Sequence, residues 1–430
     1  MKYMKKGTKC TLCTGCGRCF GEYKDSINIL SFPGAKKTGG GSGCHGEYYT
    51  PENGGYADLA GVEKPDFIIC ADIGTTTIAM ALLDRGLKVI DSYKSVNPQG
   101  KYGADVISRI KASKDKSALT DMQSLVTDEL KAGCRQFLDT LNTLSTEDSD
   151  KSEDLNSDTN TRIPDLYIAA NTTMKYLLMG YDPSELGEAP FNVSHTDSEI
   201  FSLSVDDNTI KACVLPGFSA FVGSDIYAGI LASGICESEE YILLCDLGTN
   251  GEIALGNKDH LYVTATAAGP AFEGGSLKGI WGADIIHIAS KLLNEGIMDD
   301  TGLLSEPYFE KGILAGNVHI TQDSIRALQL AKAAMNAGIK IITDEAGISF
   351  YDIKKCILAG GFGYFLSPED AAKIKLLPEE LLNICRPGGN TVLPGCALYA
   401  MGKRVNKKAE VINLAMTPGF NEFYMDSINF

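Results

Sequence analysis

The feature that most constrains how this 430-residue chain can fold is an internal repeat of a short motif. The stretch CADIGTTTIAMALLD begins at Cys70, and CDLGTNGEIALGNKD begins at Cys245. Each contains an apolar run, then Asp-x-Gly-Thr, then small or polar residues and a second apolar run. The two motif aspartates, Asp72 and Asp246, are about one domain length apart. Two copies of a strand–turn–strand unit, one opening each half, predict two related α/β domains that face each other across a cleft.

The composition predicts a soluble globular protein that does not bind nucleic acid. Hydrophobic residues make up 44% of the chain and charged residues 22%, and the formal net charge is −16. Binding to a phosphate backbone requires clustered Lys and Arg, which disfavours nucleic acid as a partner. We find no run of about 18 apolar residues that would span a membrane, and the N-terminus leads into cysteines rather than an apolar signal segment. We therefore expect a cytoplasmic protein with reduced thiols.

Changes in composition along the chain predict four regions. Residues 1–30 contain a cysteine cluster that is expected to bind metal. Residues 31–65 are rich in Gly and Tyr, which is typical of a flexible linker. The two α/β domains are then expected over residues 66–238 and 239–430. A polar stretch at 145–161 is expected to be a solvated loop.

The two repeated turns have the chemistry of phosphate-binding loops. We call residues 72–77 the first loop and residues 246–251 the second loop. Their backbone N–H groups and hydroxyls could form a nest for phosphate oxygens, and an Asp at the strand end could hold a hydrated Mg²⁺. The alternative for each turn is an ordinary β-hairpin with Gly in its loop. The candidate ligands are Asp72, Gly74, Thr75, Thr76 and Thr77 in the first loop, and Asp246, Gly248, Thr249, Asn250 and Gly251 in the second.

A third glycine site lies near the C-terminus. In KKCILAGGFGYFLSPEDAAKI (354–374), an apolar run ends at Gly360 and Gly361. Backbone without side chains at that point would let a flat base or a ribose lie against it. A tight strand-to-helix turn is the alternative explanation.

The order of these motifs resembles the actin, sugar-kinase and heat-shock-chaperone ATPase superfamily (ASKHA). More closely, the sequence resembles the reductive activators of corrinoid proteins, over about residues 66–400. The segments that carry the resemblance are NPQGKYGADVISRI (97–110), AANTTMKYLLMGYDP (169–183), LPGFSAFVGSDIYAGI (215–230), DLGTNGEIALGNKD (246–259), ATAAGPAFEGGSLKG (265–279), TQDSIRALQLAKAAMNAGI (321–339) and LAGGFG (358–363).

This resemblance implies an α/β fold of two ribonuclease-H-like, actin-type ATPase domains around a nucleotide cleft, preceded by a small cysteine-rich metal-binding segment. The two loops would hold the phosphates of ATP and its Mg²⁺, and Gly360 and Gly361 would lie at the adenosine. Asp225 would lie behind the nucleotide, where a carboxylate could orient the attacking water. Glu273 is a rival for that role or for Mg²⁺, and Asp246 is a third candidate catalytic carboxylate. A helix cap is the alternative for Asp225 and Glu273.

The resemblance also implies an N-terminal two-iron ferredoxin-like domain, and here the chain departs from the family. Its cysteines, Cys10, Cys13, Cys16 and Cys19, have the spacing C-x2-C-x2-C-x2-C, not that of the plant-type ferredoxins. On a straight helix the first and last would be about 13 Å apart, so the run must wrap as a loop to bind one cluster. Three cysteines at this spacing resemble the four-iron ferredoxin run, with Cys19 or Cys44 as the fourth ligand. A zinc site and uncoordinated thiols are the alternatives.

Taken with the phosphate-binding turns and the cysteine segment, the resemblance implies an ATP-dependent reductive activator. An iron–sulfur cluster, most consistent with the 4Fe-4S type, would deliver a low-potential electron to a corrinoid protein and return Co(II) to Co(I). Three alternatives remain. The first is an activator of another low-potential metalloprotein such as a dehydratase, and the second is a small-molecule or acyl kinase with a structural zinc segment. The third is a chaperone-like module in which ATP controls binding to a partner protein. The electron donor is not identified by the sequence, and the oligomeric state is open, a homodimer included.

Overall fold

The structure is a computed structural model that describes residues 65–149, 163–248, 250–273, 282–315, 318–360 and 366–430. The predicted cysteine segment at 1–30 and all but the last residue of the predicted linker at 31–65 lie outside these ranges. Within the described ranges, no helix is both long enough and apolar enough to cross a membrane.

The first sheet is built from the strands that surround the first loop. In the described part of the chain it has six strands in the order β3-β2-β1-β4-β6-β5. Strand β2 runs antiparallel to β1, whereas β4 runs parallel to β1 and β6 parallel to β4. The strands are β1 (Phe67–Ile73), β2 (Thr77–Asp84), β3 (Val89–Val96), β4 (Leu166–Ala170), β5 (Glu199–Val205) and β6 (Asn208–Val214).

The second sheet is built around the second loop in the same way. Its described strands have the order β13-β12-β7-β8-β9-β14, and β8 is antiparallel to β7 while β12 is parallel to it. A separate two-stranded ribbon is formed by β10 and β11. The strands are β7 (Tyr241–Leu247), β8 (Gly251–Gly256), β9 (Leu261–Thr266), β10 (Ile313–Ala315), β11 (Val318–Ile320), β12 (Ile353–Ala359), β13 (Cys385–Gly389) and β14 (Glu410–Ile412).

The two sheets repeat one topology, which confirms the predicted fold class. The order β3-β2-β1-β4-β6 in the first sheet corresponds to β9-β8-β7-β12-β13 in the second, with the same strand directions. In this mixed sheet, the first strand of an antiparallel meander pairs on its other side with parallel strands, which is the ribonuclease-H-like arrangement. The repeated Asp-x-Gly-Thr motif lies at the same place in both sheets, at the turn between the first two strands.

Helices cover these sheets, and the longest packs on the first sheet. One face of α2 buries Met122, Val126, Leu130 and Phe137, whose spacing of four and seven residues matches a helical stripe. The helices are α1 (Val106–Ala112), α2 (Lys116–Ser149), α3 (Thr172–Met179), α4 (Ser224–Ser233), α5 (Gly282–Asn294), α6 (Tyr308–Lys311), α7 (Gln322–Glu345), α8 (Pro368–Lys373), α9 (Val392–Ala400) and α10 (Phe420–Asp426).

The expectation of a solvated loop over residues 145–161 is wrong for its first part. Residues 145–149 continue α2, and the Ser145 hydroxyl donates to the carbonyl of Leu141 one turn earlier. Extending an existing helix fixes one residue for each hydrogen bond gained, so polar residues can continue it at its exposed end. The rest of the stretch, residues 150–161, lies outside the described residues.

Four cysteines that the sequence places in apolar runs are core residues, as expected. Cys70, Cys245, Cys356 and Cys396 are each fully buried, and each is a free thiol. Burial raises the pKa of the Cys70 and Cys396 thiols, and a hydrogen bond with Cys245, together with burial, raises that of Cys356. They therefore behave as small apolar side chains rather than as reactive groups.

Helices α4 and α9 each pack on the sheet of the opposite half of the chain. Helix α4 follows the first sheet in sequence, but its Ile226 and Ile230 lie in the core of the second. Helix α9 follows β13 of the second sheet, but Leu393 and Ala397 pack on the first. The two helices cross at Gly395, where a Cβ would lie 2.0 Å from the carbonyl oxygen of Ala228. This exchange joins the two sheets through one closely packed helix pair.

Candidate active site

Four carboxylates from both halves of the chain gather between the two loops. Asp72 lies near the end of β1 and Asp246 near the end of β7. Asp225 is in the first turn of α4, the helix that packs on the opposite sheet. Glu252 on β8 pairs directly with Asp246 across the antiparallel hairpin, so both side chains are on the same face. The structure thus brings together three residues named from the sequence and a fourth that was not.

Burial in this cleft raises the pKa values of all four carboxylates. It raises the pKa of Asp72 to about 7 and that of Asp246 to about 8, and the charge of Asp225 adds to both increases. Burial also raises the pKa of Asp225 to about 6. The pKa of Glu252 is raised as well, first by burial and then by the charges of Asp225 and Asp246. If all four carboxylates were ionised, the cluster would hold more negative charge than its own surroundings compensate.

A hydrated divalent cation fits this cluster better than a directly bound one. Among the residues that the structure describes, no three Asp, Glu, His or Cys side chains lie close enough to bind one metal ion together. Mg²⁺ commonly keeps several waters and contacts protein carboxylates through them. Carboxylates that raise one another's pKa without full compensation by cations suit such an ion.

A cationic side chain, Lys94 of β3, also belongs to this site. Burial lowers the pKa of Lys94, and its attraction to Asp72 opposes that decrease. The same attraction lowers the pKa of Asp72. Lys94 therefore brings positive charge to the side of the cleft where the first loop begins, which would favour an anionic ligand.

The first loop is a tight turn that polar groups hold in place from several sides. The Gly74 N–H donates to the Thr77 carbonyl at 2.9 Å and closes the turn. The Thr75 carbonyl accepts from the buried guanidinium of Arg109 at 2.5 Å, and the Thr75 hydroxyl accepts from Asn171 at 3.1 Å. A hydroxyl that accepts can still donate its own hydrogen. Thr76 is exposed at the tip.

The second loop is also a tight turn, and a hydrogen bond connects it to the acidic cluster. The Gly248 N–H donates to the Asn250 carbonyl at 3.0 Å. The Asn250 side chain forms a hydrogen bond with Glu252, which lowers the pKa of Glu252 against the larger effect of burial. Gly251 is buried, and a Cβ there would lie 2.0 Å from the sulfur of Met335. Thr249 lies outside the described residues.

Of the remaining candidates, Gly360, Gly361 and Glu273, the structure fully describes only Gly360. Gly360 has a φ of +104°, and a Cβ there would lie 2.4 Å from the Leu247 carbonyl and 2.9 Å from the Asp246 carboxylate. Glycine is thus required for close approach of β12 to the second loop. Gly361 lies outside the described residues. The backbone of Glu273 belongs to a 3₁₀ turn, and its side chain is not described.

The sequence analysis missed several residues that shape this site. Glu252 could have been found from the hairpin register, because a tight turn after Asp246 fixes which residue lies opposite it. Nothing in the sequence around Lys94 or Arg109 indicates a role in the site. The attraction of Lys94 to Asp72 and the hydrogen bond of Arg109 to Thr75 exist only in the folded chain. Asn171 and Asn390, described further below, have the sequence signature of helix caps and nothing that points to the loop.

Two family models match consecutive parts of the chain. The RACo middle region matches residues 67–238, and the C-terminal domain of RACo, described as the ASKHA domain, matches residues 240–278 and 275–430.

Named relatives agree with these matches. The chain is 29% identical over 434 residues to the corrinoid activation enzyme RamQ of Eubacterium limosum, covering 84% of this chain and 70% of the relative. It is 22% identical over 294 residues to a [Co(II) methylated amine-specific corrinoid protein] reductase of Methanosarcina barkeri, covering 54% of each. A solved structure titled reductive activator for corrinoid, iron-sulfur protein superposes with a TM-score of 0.70 at 25% identity, covering 86% of this chain and 67% of that one.

The paired ribonuclease-H-like sheets, with a carboxylate-lined cleft between two Asp-x-Gly-Thr turns, define a protein of the ASKHA class. Within that class, the chain belongs to the RACo family, since its two models together match nearly all of residues 67–430. The resemblance stated from the sequence motifs is therefore confirmed.

Proposed function

We propose that this protein is an ATP-dependent reductive activator of corrinoid proteins. It would return Co(II) of a corrinoid partner to Co(I) with one low-potential electron, which it carries on an iron–sulfur cluster, and it would hydrolyse ATP in the process. Two relatives bear names for this activity, one as a corrinoid activation enzyme and one as a Co(II) corrinoid protein reductase.

The observation that carries the nucleotide part of this proposal is the acidic cleft between the two loops. Asp72, Asp225, Asp246 and Glu252 share one cleft, and burial raises the pKa of each. A cation would lower the cost of ionising them, and the adjacent turns offer backbone N–H groups to phosphates. ATP with Mg²⁺ supplies both the cation and the phosphates.

Each carboxylate has a role that follows from its position. Asp72 and Asp246, one from each loop, would hold the waters of Mg²⁺. Asp225 acts electrostatically on both of them, and Glu252 lies opposite Asp246. Either could accept a hydrogen bond from the water that attacks the terminal phosphate. Glu273 remains a candidate for that role. Gly360 and Gly361 would lie at the adenosine.

The cysteine segment supplies the redox part of the proposal. Cys10, Cys13 and Cys16, with Cys19 or Cys44, would hold the cluster, and a bound cluster supplies one-electron transfer. We further propose that this segment covers residues 1–30, that a linker covers 31–65, and that the two ATPase domains cover 66–238 and 239–430. The protein would act in the cytoplasm, and its electron donor is a separate molecule.

ATP is needed because the electron must reach a centre of low potential. For a one-electron step, each ~59 mV of mismatch is a factor of about ten in the equilibrium constant. A nucleotide can drive such a step only if it stabilises one arrangement of the protein over another. Helices α4 and α9 join the two sheets next to the acidic cleft, so a change in the cleft would reach both sheets.

Two anaerobic measurements test this function. Metal and sulfide analysis, with an EPR spectrum of the reduced protein, should find iron, sulfide and a cluster signal; stoichiometric zinc in a colourless protein would instead favour a kinase with a structural zinc segment. ATP turnover should rise when a Co(II) corrinoid protein is added. A rise only with a dehydratase or only with a small-molecule acceptor would reject the corrinoid assignment.

A further inference from the structure

Asn390 contacts both the nucleotide cleft and the start of helix α9. Its side-chain oxygen accepts the backbone N–H groups of Val392 and Leu393, each at 2.9 Å, at the beginning of the helix. Its side-chain nitrogen donates to the Asp72 carboxylate at 2.7 Å. This is the one amide orientation that satisfies both partners, because N–H groups require an acceptor and a carboxylate requires a donor.

Two other asparagines hold the first loop with the same geometry. The Asn97 oxygen caps a 3₁₀ turn while its amide donates to the Gly74 carbonyl at 2.8 Å. The Asn171 oxygen caps α3 while its amide donates to the Thr75 hydroxyl at 3.1 Å. Three asparagine side chains therefore connect the first loop to the first turns of two helices and a 3₁₀ turn. Each side chain caps one of these elements with its oxygen and donates to the loop with its nitrogen.

The contact made by Asn390 differs from the other two in what its helix touches. The turn and helix capped by Asn97 and Asn171 follow strands of the first sheet, to which the first loop itself belongs. Helix α9 follows the second sheet and crosses α4 where Gly395 meets Ala228. Helix α4 in turn carries Asp225, whose charge raises the pKa of Asp72. Asn390 therefore links the cleft to the helix pair that joins the two sheets.

We propose that Asn390 is a positioning residue that transmits the state of Asp72 to the α4–α9 helix pair. The inference rests on the proposed nucleotide site. The amide is fixed at one end by the Asp72 carboxylate and at the other by the N–H groups at the start of α9. A hydrated cation competes with the amide for that carboxylate, because both bind its oxygen lone pairs. Loss of the Asp72 bond frees the capping amide to rotate and loosens the first turn of α9.

Hydrogen exchange in α9 tests this inference without any corrinoid protein. The variant Asn390→Ser keeps a side-chain oxygen that can cap the helix but lacks the amide donor. Asn413→Ser is the matched control. The exposed Asn413 caps a 3₁₀ turn through its side-chain oxygen, which accepts the Ala415 N–H, but within the described residues it has no carboxylate partner. Exchange is followed in a peptide spanning residues 389–398, with and without Mg²⁺ and a non-hydrolysable ATP analogue, and calorimetry measures binding separately.

In the wild-type protein and in Asn413→Ser, the analogue should accelerate exchange at the start of α9 about tenfold, as expected for loss of one charge-assisted hydrogen bond. Asn390→Ser should bind the analogue up to about tenfold more tightly than wild type, because it has no amide bond to Asp72 to break, and it should exchange rapidly with or without the analogue. Asn390→Asp, which keeps the capping oxygen and adds a like charge beside Asp72, should also exchange rapidly without nucleotide.

The opposite results would overturn the inference. If the wild-type protein binds the analogue and α9 exchange is unchanged, or if Asn390→Ser and Asn390→Asp still respond as wild type does, Asn390 does not transmit the state of Asp72. If calorimetry detects no binding to the wild-type protein, the proposed nucleotide site itself is wrong and this inference fails with it.

Discussion

Replacing Asp246 with Asn in the nucleotide-free protein should raise the free energy of unfolding, and the gain should grow as the pH rises. In the unfolded chain the pKa of an Asp is about 3.9, whereas burial raises the pKa of Asp246 to about 8 in the folded protein. Between these values the folded chain holds a proton that the unfolded chain has lost. Stability of the wild-type protein therefore falls as the pH rises through this window.

The size of the effect follows from the same two pKa values. One unit of pKa corresponds to about 1.4 kcal/mol, so the full difference sets an upper bound of roughly 6 kcal/mol. Asp246 is only half-buried, and water reaching the cleft screens its charge. We therefore expect Asp246→Asn to be more stable than wild type by about 2 kcal/mol at pH 8.5, by less at pH 5.5, and by nothing near pH 4.

Urea unfolding at these pH values, with EDTA present to remove divalent cations, measures the difference. Asp299→Asn is the matched control: Asp299 accepts hydrogen bonds from Thr301 and from the Leu303 N–H, which hold its pKa below the usual range. That variant should be less stable than wild type at both pH 5.5 and pH 8.5. A free energy for Asp246→Asn that equals wild type at pH 8.5, or a gain that does not change with pH, would refute the electrostatic account of the cleft.

Two further predictions concern the helix crossing and the cysteine segment. Gly395→Ala would place a Cβ 2.0 Å from the Ala228 carbonyl oxygen, so it should lower the free energy of unfolding by about 3 kcal/mol. Gly100→Ala is the control, because a Cβ there meets nothing within 4 Å, and it should not lower the free energy of unfolding. Equal melting temperatures for the two variants would contradict the close crossing of α4 and α9. Serine at Cys13 and Cys16 should abolish the visible absorption of a cluster and electron transfer while ATP binding by calorimetry stays unchanged; simultaneous loss of ATP binding would argue against a separate redox segment.

Much of the fold was predictable because the repeated motif is local. Asp-x-Gly-Thr between two apolar runs specifies a strand, a tight turn and an antiparallel strand within about fifteen residues, and the second copy implies a second sheet. Both hairpins are observed, and each begins the same strand order. The continuation of α2 through residues 145–149 was missed because the polar composition of its last turn is equally suited to a loop.

The candidate site was predictable only in part, for the same reason. Asp72 and Asp246 stand out because each lies in the repeated motif itself. Glu252 stands at the position that Ala79 occupies in the first hairpin, opposite the motif aspartate, so the repeat by itself does not reveal it. Asn390 is 318 residues from Asp72 in sequence, and the hydrogen bond between them depends on the folded positions of both.

The sequence by itself thus determined the two sheets, the two turns and the family, since these depend on short-range spacing and on motif identity. Only the tertiary structure decided that α4 and α9 exchange sheets, and that the four carboxylates share one cleft with raised pKa values. The physical reason is that electrostatic energy and close packing depend on distances through space. The order of residues along the chain does not specify those distances until both halves have folded together.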